Sequence, residues 1–213
     1  MVKRISTGLM EDEFREEVTA LAAQKLKSHT ENPIVFYGSS SFRLWETLQQ
    51  DIPELTCLNL AFGGSQIIHC IKYYEELLGK TQPQKIMFYC GDNDIAEDIA
   101  PEEILKRFQS FLEKVDRQFP EVPLTFLSIK PSPIRAEKLD VIQRTNRLIE
   151  AFLEDKPLRY FLDIHSPMLK NAGVRPELFT EDELHMNEQG YSIWASIVRE
   201  HLGLEAPDLV ENN

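Results

Sequence analysis

The sequence is poor in cysteine, and the cysteines that it has show no functional spacing. Cys57, Cys70 and Cys90 are odd in number and form no CxxC pair within the 213 residues. This excludes a disulfide framework and indicates no zinc site. Each of the three has apolar neighbours, so we expect them to be small, buried side chains.

Basic charge and long apolar runs are also scarce. Lys and Arg number 23 against 35 Asp and Glu, which gives a net charge of −12 and a pI near 4.9. Such an acidic chain disfavours nucleic acids and anionic membranes as partners, because both are bound by basic surfaces. No apolar run reaches transmembrane length, and residues 1–17 lack the apolar core of a signal peptide. We therefore predict a cytoplasmic protein.

Internal repeats, low-complexity tracts and linkers are absent from the sequence as well. The chain is long enough to bury a sizeable core, so we predict a single domain over residues 1–213. The sequence also contains no GxSxG motif. This absence argues against the α/β-hydrolase fold.

The chain does contain a regular alternation of strand and helix patterns. Apolar runs predict strands at 34–38, 57–62, 85–90, 123–129 and 158–164, and amphipathic spacing predicts helices near 10–28, 42–50, 66–79, 101–119, 136–154 and 187–202. Strands that are each followed by a helix predict a five-stranded parallel sheet in a three-layer α/β/α fold. The leading segment 1–30 carries the first helix, which can pack on the domain or support a homo-oligomer. Residues 204–213 are typical of a frayed tail.

The residues that follow the strands carry the functional argument, because open parallel sheets bind ligands at the carboxyl ends of their strands. These groups are Ser39-Ser40-Ser41, Gly63-Gly64-Ser65, Gly91-Asp92-Asn93-Asp94, and Asp182 with His185 before the last helix. They supply hydroxyls, an unshielded N–H, an amide donor and a carboxylate–imidazole pair. Acyl transfer requires this set of groups.

Each of these groups also has a purely structural interpretation. A serine between strand and helix suits a nucleophile, since the helix N-terminus supplies free N–H groups, and equally suits an N-cap. Gly64 and Asn93 can donate to an oxyanion or can serve as turn residues.

Asp182 and His185 are three residues apart, which on a helical turn places them on one face. The carboxylate can then accept the imidazole Nδ1–H and leave Nε2 to take a serine proton. Alternatively, Asp182 only caps the last helix and His185 is a surface residue. His165, with Asp163 two residues before it, is the next candidate base.

Charged residues near the strand ends have a simpler expected role. Asp92, Asp94, Glu97 and Asp98 could bind a cation, but a solvated acidic loop is the favoured interpretation. The basic residues near the predicted pocket rim are Arg43, Lys130 and Arg135. They could meet an anionic or sugar-rich substrate, although ordinary surface charges are expected for each one singly.

Taken together, these motifs resemble the SGNH hydrolases, also called the GDSL esterase/lipase family, over roughly residues 34–202. The resemblance implies a flavodoxin-like SGNH hydrolase fold. It assigns Ser40 as nucleophile, Asp182 and His185 as the other triad members, and the oxyanion hole to Ser40, Gly64 and Asn93. It implies no cofactor and no metal.

The chain departs from the family pattern at one position. Ser39 stands where the family usually has the aspartate of its GDS motif. Ser40 still follows Gly38 by two residues, as in the family, so we predict Ser40 rather than Ser39 as the nucleophile. The chain also resembles a subgroup that carries GSSS(I/F)RLW, so we do not interpret the change as loss of activity.

We therefore expect a serine esterase that cleaves a small, acetyl-like acyl ester. The alternative is a non-catalytic flavodoxin-like module that binds a ligand or a carbohydrate. In such a module the Gly38–Ser41 stretch could cradle a phosphate, but the module would have no use for the DxxH pair.

Overall fold

A parallel sheet forms the centre of the molecule. The computed structural model describes residues 13–27, 31–171 and 173–205. The strands are β1 Ile34–Gly38, β2 Cys57–Asn59, β3 Lys85–Tyr89, β4 Leu124–Leu127 and β5 Arg159–Leu162. Their spatial order is β2-β1-β3-β4-β5 and all pairs are parallel. The predicted five-stranded parallel sheet is confirmed.

Helices cover both faces of this sheet. They are α1 Arg15–Lys27, α2 Ser40–Arg43, α3 Leu48–Asp51, α4 Ile67–Lys72, α5 Asp92–Ala96, α6 Pro101–Gln118, α7 Leu139–Leu153 and α8 Glu188–His201. Short 3₁₀ turns occur at Leu78–Lys80, Pro133–Lys138, Ser166–Met168 and Pro176–Leu178, and a small antiparallel pair joins β6 Leu169–Lys170 to β7 Gly173–Val174. None of the helices described is both long and apolar enough to cross a membrane.

Strand β1 shows why the sheet is buried on both sides. Val35 and Tyr37 belong to the core shared with α1, α4, α6 and α7, whereas Ile34 and Phe36 belong to the core shared with α2, α3 and α8. Successive side chains of a strand point to opposite faces. The uninterrupted apolar run therefore specifies a strand covered on both faces, and it specifies the three layers.

The leading helix packs on the first of these cores. Val18 is fully buried, and the ring of Phe14 lies 5.4 Å from that of Phe62 in an edge-on contact. The helix begins at Arg15 in the structure. Residues 10–12 and 28 of the predicted helix, and most of the predicted tail, lie outside the described residues.

Two predicted helices were wrong in extent. Residues 42–50 form the ends of two short helices, α2 and α3, separated by a turn at 44–47. The turn buries the ring of Trp45, whose indole N–H donates to Asp51 at 2.6 Å. Helix α4 ends at Lys72 rather than continuing to residue 79. The predicted acidic loop after β3 begins instead with a short helix, α5.

Candidate active site

The first residue of α2 lies within hydrogen-bond distance of the histidine in the last loop. Ser40 Oγ is 3.1 Å from His185 Nε2, and His185 Nδ1 is 2.5 Å from Asp182 Oδ2. An ionised carboxylate only accepts hydrogen bonds, so Nδ1 carries the hydrogen and Nε2 faces the serine hydroxyl as an acceptor. The structure thus brings together the three residues that the sequence suggested as nucleophile, base and orienting acid.

The turn that carries the acid and the base is not helical, contrary to the expectation from spacing. Asp182 Oδ1 accepts the backbone N–H groups of Leu184 at 2.9 Å and His185 at 2.8 Å, and the Thr180 hydroxyl at 2.7 Å. Helix α8 begins only at Glu188. Hydrogen bonds to the carboxylate, rather than helical periodicity, therefore fix Asp182 beneath the imidazole.

These bonds also set the charge of the carboxylate. Partial desolvation favours the neutral form, but the N–H groups of His185 and Leu184, the imidazole and the Thr180 hydroxyl outweigh it. Together they lower the pKa of Asp182 below its ordinary value. Asp182 is therefore ionised at neutral pH and available to stabilise a protonated imidazole.

Two backbone N–H groups, those of Ser40 after β1 and of Gly64 after β2, are available to a ligand. Within residues 13–27, 31–171 and 173–205, nothing accepts a hydrogen bond from the N–H of Ser40 or of Gly64. Gly64 has φ of +69°, a left-handed conformation that glycine adopts readily. The preceding N–H, that of Gly63, is bound by Glu17 Oε2 of α1 at 3.1 Å. Helix α1 therefore holds the turn in which Gly64 lies.

Asn93 is fixed by three neighbours at the start of α5. Its amide nitrogen donates to Ser39 Oγ at 2.9 Å and to the Ser65 carbonyl at 3.1 Å. Its oxygen accepts a long hydrogen bond, 3.4 Å, from Arg135 Nη2. Ser39 is buried and holds this amide, and in the described part of the chain the His185 imidazole is hydrogen-bonded to Ser40 and to neither Ser39 nor Ser41.

The expectation of a solvated acidic loop was wrong for its first half. Asp92 and Asp94 are 5% and 0% exposed. Asp92 pairs with Lys130 at 3.2 Å and with Arg135, and Asp94 pairs with Arg107 at 2.8 Å. The surrounding segments supply cations that compensate the buried carboxylates.

The interpretation of Lys130 and Arg135 as ordinary surface charges was equally wrong. The Lys130 side chain is fully buried and that of Arg135 is 12% exposed, whereas Arg43 is 44% exposed and pairs with Glu17. A clue was present in the sequence, because Lys130 directly follows a buried strand. The strand-end rule that selected Ser40 and Asn93 also applies to it.

The runner-up base does not lie at this site. His165 is buried, and its Nδ1 is 3.0 Å from the Ile129 carbonyl, on the far side of β4 from Ser40 in the sheet order. Burial lowers the pKa of His165. Its contacts are those of a core histidine.

Two further observations concern metal binding and the groove beside the site. The described residues include no group of three or more His, Cys, Asp or Glu side chains arranged to hold a metal ion. A groove of about 730 Å³ runs between residues 44–54 and α8, and its lining includes Leu44 and Met186 but neither Ser40 nor His185. The Ser40–His185–Asp182 group therefore lies beside this groove rather than in it.

Comparison with known proteins identifies the family of the chain. The sequence profile of the GDSL-like Lipase/Acylhydrolase family matches residues 28–193. No curated protein matches the chain in sequence.

Solved structures show the same fold at low sequence identity. A Streptococcus pneumonia protein proposed to be a platelet activating factor superposes with a TM-score of 0.79 and 21% identity, over 89% of this chain and 93% of its own. A GDSL-like lipase from Bacteroides thetaiotaomicron superposes with a TM-score of 0.71 and 21% identity, over 90% of this chain and 96% of its own. For an acetyl-xylooligosaccharide esterase mutant from Geobacillus Stearmophilus the TM-score is 0.64 and the identity 16%, over 82% of this chain and 95% of its own. The family match covers most of the chain, and the protein therefore belongs to the GDSL-like lipase/acylhydrolase family and is a serine ester hydrolase.

Proposed function

We propose that the protein cleaves small acyl esters through a Ser40–His185–Asp182 triad and an acyl-enzyme intermediate. The observation that carries this proposal is the continuous hydrogen-bond chain of 3.1 Å from Ser40 Oγ to His185 Nε2 and 2.5 Å from His185 Nδ1 to Asp182. A nucleophile, a base and an orienting group in hydrogen-bond contact are the arrangement that activates a serine.

In the first half of the reaction, Ser40 Oγ attacks the ester carbonyl while His185 Nε2 accepts its proton. The new C–O bond turns the carbonyl into a tetrahedral oxyanion. His185 then gives the proton to the leaving alcohol as the C–O bond to that alcohol breaks, which leaves an acyl group on Ser40. Asp182 stabilises the imidazolium throughout.

In the second half, water replaces the alcohol. His185 takes a proton from the water as the water attacks the acyl carbon, and returns it to Ser40 Oγ when the acid leaves. In both halves the oxyanion binds the N–H groups of Ser40 and Gly64 and the Asn93 N–H that donates to Ser39 Oγ, a hydrogen that the oxyanion and Ser39 then share. Each such donor contributes about 3 kcal/mol to lowering the barrier.

The ester that we propose as substrate carries a short acyl group rather than a long fatty acyl chain. One structural neighbour is named for acetyl-xylooligosaccharides, which are short-acyl esters. The substrate that we propose is therefore an acetyl-like ester of a small molecule.

The test compares p-nitrophenyl acetate hydrolysis by the wild type, Ser40→Ala and Ser196→Ala. Ser196 is an exposed serine on α8 whose hydroxyl donates to the Ser192 carbonyl at 3.0 Å rather than to a triad residue, and it serves as the matched control. We expect kcat to fall by roughly 10³-fold or more in Ser40→Ala and to be unchanged in Ser196→Ala. Turnover that survives in Ser40→Ala would assign the nucleophile to Ser39 or Ser41. Activity confined to long-chain esters such as the palmitate would overturn the short-acyl proposal.

A further inference from the structure

Three charged side chains form a buried cluster behind the oxyanion donor. We call Asp92, Lys130 and Arg135 the charged cluster. Lys130 Nζ is 3.2 Å from Asp92 Oδ2, Arg135 pairs with the same carboxylate, and the three side chains are 7%, 0% and 12% exposed, in the order named above. They come from three places, namely the first residue of α5, the segment between β4 and the following 3₁₀ turn, and that turn itself.

One arm of the charged cluster reaches the turn that carries the catalytic base. Lys130 Nζ donates to the Leu184 carbonyl at 2.8 Å, and the backbone N–H of Ile134 donates to the Glu183 carbonyl at 3.2 Å. Leu184 and Glu183 are the two residues between Asp182 and His185. The segment that contains Lys130 and Arg135 is therefore hydrogen-bonded to both central residues of this turn.

The other arm reaches the oxyanion hole. Arg135 Nη2 donates to Asn93 Oδ1. A donor on the oxygen of an amide fixes the amide plane and makes its N–H groups better donors, because linked hydrogen bonds polarise one another. Arg135, the cation that reaches Asn93, lies at the oxygen end of this amide and leaves its nitrogen end to the acceptors.

Stability alone is a poor reason for such a cluster. Buried ion pairs are often no more stabilising than apolar side chains of the same volume, because desolvation offsets their attraction. Burial lowers the pKa of Lys130, and although burial opposes the charge of Asp92 as well, Lys130 and Arg135 hold the pKa of Asp92 below its ordinary value. The two basic side chains thus hold the Asp92 carboxylate in its charged form, in a place where an apolar set would pack.

We propose that Asp92, Lys130 and Arg135 are positioning residues that hold the Asn93 amide and the His185 turn in one fixed relation to Ser40. Asp92 joins the two arms, because both cations pair with it. This inference rests on the proposed function, in which Asn93 is an oxyanion donor and His185 the base.

The first test is a double-mutant cycle between Arg135→Gln and Asn93→Ala, with kcat and KM measured on p-nitrophenyl acetate. If Arg135 acts through Asn93, Arg135→Gln lowers kcat by about tenfold in the wild-type background with KM nearly unchanged, and by less than about twofold when Asn93 is already alanine. Arg135→Lys should recover part of the loss. An equal loss in both backgrounds would overturn the role of Arg135.

The second test does not depend on activity. Hydrogen exchange is measured at the Leu184 and His185 amides, which are bound by Asp182, in the wild type, Lys130→Met and Arg199→Met. Arg199 is a matched control, since its side chain is 4% exposed and pairs with Glu54 rather than with the site. We expect faster exchange at the two amides in Lys130→Met only.

The outcomes of the two tests separate the two proposals. Unchanged exchange in Lys130→Met, or the same acceleration in Arg199→Met, would overturn the positioning of the turn by Lys130. If the wild type hydrolyses no ester, the proposed function fails by itself, and the exchange experiment still decides whether the cluster holds the turn. If Lys130→Met does not fold, Arg135→Gln carries the test through the kinetic cycle.

Discussion

Ser39 occupies the position at which the family usually carries an aspartate. Ser39 is only 1% exposed. Its hydroxyl oxygen accepts one hydrogen of the Asn93 amide at 2.9 Å. A serine can hold this amide without placing a negative charge beside the developing oxyanion. The Asn93 amide is therefore held here by a neutral hydroxyl rather than by a carboxylate.

We expect Ser39→Ala to lower kcat by roughly fivefold, with KM little changed. The reason is that Asn93 loses one of its fixed partners, and a neutral hydrogen bond contributes about 1 kcal/mol. Steady-state kinetics on p-nitrophenyl acetate measure the effect, with urea unfolding as a check that the variant is folded. An increase in kcat would show instead that Ser39 competes with the substrate for the Asn93 amide.

Single residues differ in how far the sequence predicts them. Ser40, Asn93 and His185 lie where strand ends and family motifs both point. Lys130 and Arg135 could not be predicted as buried, since their burial depends on β3, β4 and the His185 turn meeting in space. In a one-dimensional sequence, a lysine after a strand looks the same whether it faces solvent or a carboxylate.

At the scale of elements, the end of β1 depends on the absence of a side chain. A Cβ on Gly38 would lie 1.9 Å from the Tyr89 carbonyl oxygen, and Gly38 has φ of +139°. Because β1 pairs with β3 over its whole length, an added methyl group would push the two central strands apart just before Ser39 and Ser40.

Gly38→Ala should lower the free energy of unfolding by at least about 3 kcal/mol or prevent folding, because it combines a backbone clash with strain. Gly203→Ala is the matched control, since Gly203 also has positive φ, +73°, but no atom of the described residues lies within 4 Å of its added Cβ. There we expect only the strain cost of about 1 kcal/mol. Chemical denaturation measures both, and equal losses would mean that strain rather than the clash decides.

The elements themselves were predictable where burial is continuous. In a chain whose strand and helix patterns alternate, an unbroken apolar run such as 34–37 indicates a buried strand, so all five strands were located. The helix predicted at 42–50 was wrong because its pattern contains a residue, Trp45, whose ring is buried best when the chain turns. The preference of one side chain for the core overrode the local periodicity.

At the scale of the whole molecule, the strand order determines where the chemistry occurs. In the order β2-β1-β3-β4-β5, β2 is added on one side of β1, and the chain then crosses to the other side of β1 to add β3, β4 and β5. Ser40 follows β1 and Asn93 follows β3. The two therefore lie at the topological switch point, where open sheets leave a crevice.

The global stability should depend on acid through the buried carboxylates. The pKa of Asp92 is lowered, so its stabilisation is complete above the ordinary value of 3.8 and is lost as the pH falls through the lower native value. Burial raises the pKa of Asp94, which acts in the opposite sense. We expect Asp92→Asn to show a smaller loss of unfolding free energy between about pH 6 and pH 3 than the wild type, and Asp94→Asn to show a larger one.

Urea unfolding at several pH values measures these differences. The unfolding free energy of Asp92→Asn at neutral pH should also fall, because Lys130 and Arg135 lose their counter-ion. Curves for the two variants that run parallel to that of the wild type would contradict the prediction.

Helix α1 supports the site although it lies outside the part of the chain that matches the family. The stretch that the family shares starts at residue 28, yet Glu17 binds Gly63 and thereby holds the turn of Gly64. The part of the chain that matches the family profile is thus shorter than the part that holds the site in place. A shortened protein cut at the family boundary would keep Ser40, Asp182 and His185 but would lose the hydrogen bond from Gly63 to Glu17 that holds the turn of Gly64.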